Sequence, residues 1–278
     1  VPPGHTEEGL MGTAVIIGGT DGIGRGLAAE YLRRGFEVLV IGRNKTKGQA
    51  FADSGEQAHF VAADLSRVGE TERLVAQVAD RFPTVDVLVL GARFCRSTRL
   101  VTEEGFESNF ALFYLSRFLF SHGLAASLGR AEHPVVLNFG GAGQQVPVRW
   151  HDLQLEHAYH GVGAMGHAAR LNDLLGVHFT GLHPDIRYVL NHPGVVATSF
   201  AGEYDPITAT QVESLKVTGK SVAQSVAQIL PYLEPPGRDR LTAVHEGARV
   251  PLEPRLFDRR DAARLHEITE KLLTDLPR

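Results

Sequence analysis

Ala14-Val15-Ile16-Ile17-Gly18-Gly19-Thr20-Asp21-Gly22-Ile23-Gly24-Arg25-Gly26-Leu27-Ala28-Ala29-Glu30-Tyr31-Leu32 decides the fold. An apolar run passes straight into a glycine loop, and the loop passes into a helix-forming segment. Glycines at 18, 22 and 24 allow a tight turn, let a diphosphate approach bare backbone, and let the helix pack close to the strand. The first N–H groups of that helix have no partner within it and face the same anion. The stretch predicts a nucleotide held by Gly18, Thr20, Asp21, Gly22, Ile23 and Gly24. Glycine is abundant, 30 of 278 residues, so a GxxxGxG spacing gains its meaning only from its neighbours.

Those neighbours alternate strand and helix. The first helix runs through Arg34 and stops at Gly35, a natural helix-ending residue, and residues 36–41 form a second apolar strand. Further strands are expected at 59–62, 85–90, 135–139, 186–190 and 241–245, with helices over 67–81, 103–128, 157–179 and 216–233. Strands that are apolar along both faces are buried on both faces, so the fold class is α/β, a single-domain doubly wound parallel sheet of the Rossmann kind. Residues 1–11 read as an N-terminal extension and residues 12–278 as the domain. Pro235-Pro236-Gly237 is a turn within it.

Composition narrows the partners. A net charge of −4 with scattered arginines gives no basic field for nucleic acid. Cys95 is the single cysteine, which excludes an internal disulfide and a CxxC metal site. No apolar run is long enough to span a membrane, and residues 1–10 lack the apolar core of a secretory signal. A cytoplasmic protein with a small-molecule substrate, and with neither nucleic acid nor membrane as a partner, is expected.

Together the glycine loop, Asp64-Leu65 and His192-Pro193-Gly194-Val195-Val196-Ala197-Thr198 resemble the short-chain dehydrogenase/reductase superfamily over about residues 12 to 250. The resemblance implies that Asp64 and Leu65 meet the adenine, that Gly91 and Ala92 line the cleft, and that Pro193, Gly194, Val196 and Thr198 lie beside the nicotinamide. After the second strand an acidic residue would bind a ribose hydroxyl, whereas this chain has Gly42-Arg43-Asn44. Arg43, with Arg25 or Lys45, can pair with a 2′-phosphate, so NADP(H) is the expected cofactor. Asp21 argues mildly for the uncharged ribose. The helices beginning near Glu103 and His157 resemble those that pair family members, which implies a homo-oligomer.

The proton-transfer residues of that family are missing. Its members carry an Asn-Ser-Tyr-Lys tetrad; here the resemblance places Tyr159 in the tyrosine position, Gly163 in that of lysine, Gly140-Gly141 in that of serine and Phe113 in that of asparagine. No lysine lies between Lys47 and Lys216, and no serine between Ser127 and Ser199. Ionising an isolated phenol at pH 7 costs about 4 kcal/mol, so alcohol oxidation suffers more than reduction, which needs only a donor. Seven of the thirteen histidines lie between His151 and His192. His160 and His167, seven apart, share a helical face and stand as substitute acids or bases. His157 and His160 lack further ligands at metal-binding spacing, so no metal is expected.

Three functions fit. The first is an NADP(H)-dependent reductase of a bulky, apolar carbonyl or conjugated molecule, with Tyr159 as proton donor and Arg93, Phe113, Gly140, Gly141 and Phe200 lining a roomy pocket. The second is a non-redox cyclase, dehydratase or isomerase using Tyr159 and a histidine. The third is a catalytically silent nucleotide sensor. Residues 198–217 are expected to close over the substrate as a lid.

Overall fold

The computed structural model describes residues 11–276 except Pro236 and Arg238, so the N-terminal extension up to Leu10 and the centre of the 235–237 turn lie outside the described residues. Strand β1 (Thr13–Ile17) leads into α1 (Gly22–Arg33), then β2 (Glu37–Gly42), α2 (Lys45–Ala52), β3 (Ala58–Ala62), α3 (Val68–Arg81) and β4 (Val87–Leu90). A two-residue strand β5 (Cys95–Arg96) precedes α4 (Ser108–Phe110), a π-helical turn (Ala111–Leu115), α5 (Ser116–Gly123), α6 (Ala125–Leu128) and β6 (Val135–Asn138). The long α7 (Gly161–Leu182), β7 (Arg187–His192), β8 (Gly202–Glu203), α8 (Pro206–Thr218), α9 (Val222–Leu233), β9 (Leu241–His245), β10 (Ala248–Val250) and α10 (Arg259–Thr274) complete the domain.

The main sheet has the order β10-β9-β7-β6-β4-β1-β2-β3. All neighbours are parallel except β10, which folds back antiparallel on β9 through Gly247. Successive strands run outward in opposite directions from β1 and β4, and such a switch point leaves a crevice beyond the carboxyl ends of the strands. One face of the sheet buries Leu27, Ala28 and Tyr31 of α1, Phe51 of α2 and Val226, Ile229 and Leu233 of α9. The other buries Leu74, Val75 and Val78 of α3, Phe120 of α5 and Phe179 of α7. Among the described residues no helix is long and apolar enough to cross a membrane.

Capping shifts several expected boundaries. The helix expected from Glu103 starts at Ser108, because Gly105 takes a left-handed conformation and the Glu107 carboxylate accepts hydrogen bonds from the N–H groups of Asn109 and Phe110. The one expected from His157 starts at Gly161, behind Ala158 at φ +53° and a capping His160. The one expected over 216–233 is two helices. Lys220 leaves the helical path to pair with the backbone of Val195 and Ala197, and a Ser221–Gln224 capping box starts α9.

Helix α10 lay beyond the strands expected from sequence. Capped by Asp258, it turns Ala262, Leu265 and Thr269 inward and packs on α7. The Tyr114 hydroxyl and Thr269 Oγ1 lie 2.8 Å apart. α7, one of the two helices on which the homo-oligomer expectation rests, thus carries the chain's own C-terminal helix on part of its surface.

Candidate active site

On the nucleotide side of the crevice each glycine has a steric reason. A Cβ on Gly18, at φ +80°, would stand 2.5 Å from the backbone nitrogen of Ala92, and one on Gly24 would stand 2.4 Å from the carbonyl oxygen of Gly18. Gly22, at φ +52°, faces the side-chain methyl of Thr198, so the 193–199 segment closes against the loop from the opposite wall. Asp21 caps α1 by accepting from the Gly22 N–H at 2.7 Å and receives Lys47 Nζ at 2.5 Å. That pairing, with hydrogen bonds from Gly22 and Ser199, holds its carboxyl below the usual range against the opposing effect of burial. The negative charge that favoured an unphosphorylated ribose is thus balanced within the protein.

Thr20 packs against Gly42 at the end of β2, and Ile23 packs on the core below. Arg43 is exposed, with its guanidinium 4.1 Å above the Phe94 ring. Asn44 caps α2 through the Lys47 N–H at 2.9 Å. Arg25 lies over Phe51 at 4.6 Å, and its buried Nη1 has no hydrogen-bond partner. Asp64 uses Oδ1 to accept from the backbone and hydroxyl of Ser66, while Leu65 is buried beside it. Gly91 donates to Ile17, tying β4 to β1 beneath the loop. Val196 is buried, and Gly194, at φ +70° after Pro193, sits where a Cβ would strike the Glu246 carboxylate. Close glycines at a helix N-terminus and an unpartnered buried guanidinium nitrogen fit a dinucleotide.

The expected proton carriers each have a partner within the protein. Tyr159 precedes α7 instead of lying on it; its hydroxyl accepts from Asn109 Nδ2 at 2.7 Å and donates to the Arg96 carbonyl at 3.0 Å. Burial, then the nearby Glu107, raises its pKa further above that of a free phenol. His160 is exposed, and its Nδ1 caps α7 through the Gly163 N–H at 3.3 Å. His167 is buried and accepts from the Arg149 N–H at 3.1 Å, and burial, with Arg149 adding to it, lowers its pKa to about 4. Each of these three, expected from the sequence as an acid or base, fastens a loop or a helix end in this structure. His157 faces Asp152 at 3.6 Å and does not join His160 in a ligand pair.

Behind Gly140 and Gly141, where a roomy pocket is expected, stands the buried carboxylate of Asp173. A Cβ on Gly141 would meet Asp173 Oδ2 at 2.9 Å, so the serine position has no room for a side chain. Asp173 accepts from the N–H groups of Ala142 at 2.9 Å and Gly143 at 3.0 Å. Burial still outweighs these bonds and raises its pKa to about 6. Phe113, in the asparagine position, lies in the π-helical turn with its ring 3.9 Å from the Arg117 guanidinium.

Arg117 was missed by sequence reasoning. It is buried, without a carboxylate partner among the described residues, and donates to Asn138 Oδ1 at 2.6 Å, to the Phe139 carbonyl, and to the Ala92 carbonyl at 3.2 Å. Burial lowers its pKa to about 9. Asn138 also donates to Asn172 and Tyr188, both at 2.9 Å, and Asn172 donates to the Phe113 carbonyl at 2.7 Å. A polar network thus locks the ends of β4 and β6 to α7. Only its position under aromatic Phe113 could have marked Arg117 in the sequence.

Arg93, three residues past β4, reaches toward α7 instead. Its Nη2 lies 3.7 Å from Met165 Sδ and its guanidinium 5.8 Å from the Phe200 ring. On α7, Met165 faces Arg93, and one turn later the Ala169 carbonyl accepts from Gly141 at 3.1 Å. Neither α7 side chain can donate a proton. The expected lid is a strand and a helix: β8 pairs with β5, Glu203 pairs with Arg96, and α8 buries only Val212.

The profile of the short chain dehydrogenase family matches residues 12–150. The chain is 27% identical to oxidoreductase AN1596 of Emericella nidulans over 67% of this chain and 59% of that protein. It is 28% identical, over 70% of each chain, to a Streptomyces protein provisionally named daunorubicin C-13 ketoreductase DnrU. It therefore spans about three fifths of the length of the first relative. The crystal structure of an uncharacterised protein from Mycobacterium paratuberculosis shares the fold, with a TM-score of 0.71 at 21% identity over 97% of this chain and 96% of that one.

Proposed function

Because the chain belongs to the short-chain dehydrogenase family, we propose that it binds NADP(H) and reduces a bulky, apolar carbonyl or conjugated molecule, with Arg93 facing the substrate oxygen. The position of Arg93 carries this reading. It is a cation beyond the carboxyl end of β4, without an ion-pair partner among the described residues, and bordered by Met165 and Phe200. Bound nicotinamide supplies the hydride. The guanidinium donates hydrogen bonds to the carbonyl oxygen and stabilises the negative charge that develops there. Since arginine keeps its proton, water completes the alcohol.

The cofactor preference rests on Arg43, whose exposed guanidinium is free to pair with a 2′-phosphate, and on Lys47, which neutralises Asp21. Gly18, Gly22 and Gly24 hold the diphosphate in this reading, and Asp64, Gly194 and Thr198 flank the two ends of the dinucleotide. The ketoreductase name carried by the Streptomyces relative supports carbonyl reduction. The non-redox reading needs a proton carrier, and the engaged positions of Tyr159, His160 and His167 count against it. Met165 and Ala169 on the cleft side of α7 favour a second reading, a nucleotide-binding protein without turnover.

Binding measured by NADPH and NADH fluorescence, followed by loss of nicotinamide absorbance with a panel of polycyclic ketones and quinones, separates the two. Turnover with NADPH that falls in Arg93→Ala supports the reductase. Tight NADPH binding with no oxidation across the panel gives the molecule to the second reading. Failure to bind either dinucleotide overturns both.

A further inference from the structure

We propose that His122, His178 and His266 form a binding site for a divalent transition-metal ion of the zinc class. They come from three different helices, α5, α7 and α10, and one ring nitrogen from each lies within 4.8 Å of the others. A tetrahedral zinc ion with bonds of about 2.0–2.1 Å to nitrogen needs donors roughly 3.3–3.4 Å apart. Closing that gap takes side-chain rotations that unstack the His178 and His266 rings, now 3.9 Å apart, so that their in-plane lone pairs converge.

Hydrogen bonding points to the same ligand. Nε2 of His122, Nδ1 of His178 and Nδ1 of His266 are buried and have no partner, an unfavourable state for polar atoms unless something binds them. On the far side of its ring, His266 directs Nε2 at Glu270 Oε1, 3.2 Å away. Brought into line with the ring, that carboxylate would favour the tautomer that leaves Nδ1 as a lone-pair donor, the outer-shell arrangement common to metal-bound histidines. His183, with its ring 6.3 Å from that of His122, or a water supplies a fourth ligand. An all-imidazole set suits zinc, cobalt, nickel or copper and disfavours magnesium and calcium.

The site stands apart from the crevice. His178 follows Met165 by thirteen positions on one helix, roughly 20 Å at the α-helical rise. An ion there fastens α10 to α5 and α7 and has no role in hydride transfer. Phe118 and Phe179, with rings 4.5 and 5.5 Å from His122, shield it from solvent.

The test uses the full chain without a histidine tag, stripped by a chelator and titrated with Co2+ and then with Zn2+. The expected result is one ion per chain, with visible bands of tetrahedral cobalt, and a thermal midpoint that rises with zinc. His266→Gln should weaken binding at least tenfold and abolish the rise, with NADPH affinity unchanged. Glu270→Gln, at an exposed position, should weaken zinc about tenfold and keeps the test open if the histidine variant does not fold. No binding by the parent chain, or equal affinity in the folded variants, overturns the proposal and leaves the His178–His266 stack, with rings 3.9 Å apart, as packing alone.

Discussion

After β1 the chain uses three glycines to bring bare backbone up to the crevice, and after β6 it uses two to make room for the carboxylate of Asp173. Both are glycine-rich strand ends, yet a Cβ on Gly18 would collide with backbone across the crevice floor, while one on Gly141 would collide with a side chain of the protein's own core. The first loop leaves open N–H groups for a ligand. In the second, the N–H groups of Ala142 and Gly143 are consumed by Asp173. Glycine content alone does not distinguish a binding loop from a packed one; the partner of the backbone does.

The largest expected effect breaks the first half. Gly18→Val places side-chain atoms against the Ala92 nitrogen in a left-handed conformation that β-branched residues do not tolerate. NADPH binding, followed by fluorescence titration, should be lost altogether, and the thermal midpoint should fall as β1 and β4 are forced apart.

Across the crevice, at the end of β4, Arg93→Ala should lower turnover by roughly 10²–10³, the usual loss of a charge-stabilising donor, while the dissociation constant for NADPH moves by less than about threefold. A loss of affinity equal to the loss of turnover would instead place Arg93 in nucleotide binding.

The same contrast reaches His167. Its native pKa of about 4 lies below the ordinary 6.5, so below pH 6.5 the unfolded chain takes up a proton that the native chain refuses. The stability that depends on a neutral His167 is complete above pH 6.5 and is lost as pH falls toward 4, on the order of 3 kcal/mol. Asp173, with its pKa raised to about 6, acts in the opposite sense between pH 4 and 6. The measurement is therefore the difference in pH slope between the parent chain and His167→Gln, by chemical denaturation. A flatter slope in the variant is expected, with no inflection assignable to His167 in the pH dependence of turnover.

What could be read from the sequence follows the same division. The glycine loop, the alternation of strands and helices and the Pro193-Gly194 turn depend on local conformation, and local conformation is written in residue type and spacing. Asp173, Arg117 and the true surroundings of Tyr159 depend on which distant segments meet, as do His122, His178 and His266. Nothing in the residues around Gly141 announces a carboxylate arriving from the middle of α7. Helix α10 did carry a local signal: Ala262, Leu265 and Thr269 recur at helical spacing behind the capping Asp258.

Arg43→Ala sharpens the comparison within the nucleotide half. Removing a guanidinium that pairs with a 2′-phosphate should weaken NADPH roughly tenfold and leave NADH nearly unchanged. An equal loss for both would mean that its stacking on Phe94 matters more than its charge.

Tyr159→Phe is expected to do least. The variant keeps the ring and removes the hydroxyl that joins Asn109 to the Arg96 carbonyl. A half-buried site lets water take up part of what is lost, so the cost should be about 1 kcal/mol of stability. Turnover should change less than about threefold, because the phenol gives its proton to the Arg96 carbonyl of β5. A fall of 10² or more with stability preserved would show that the hydroxyl leaves Arg96 during the reaction, and would restore to Tyr159 the proton-donor role that its position before α7 argues against.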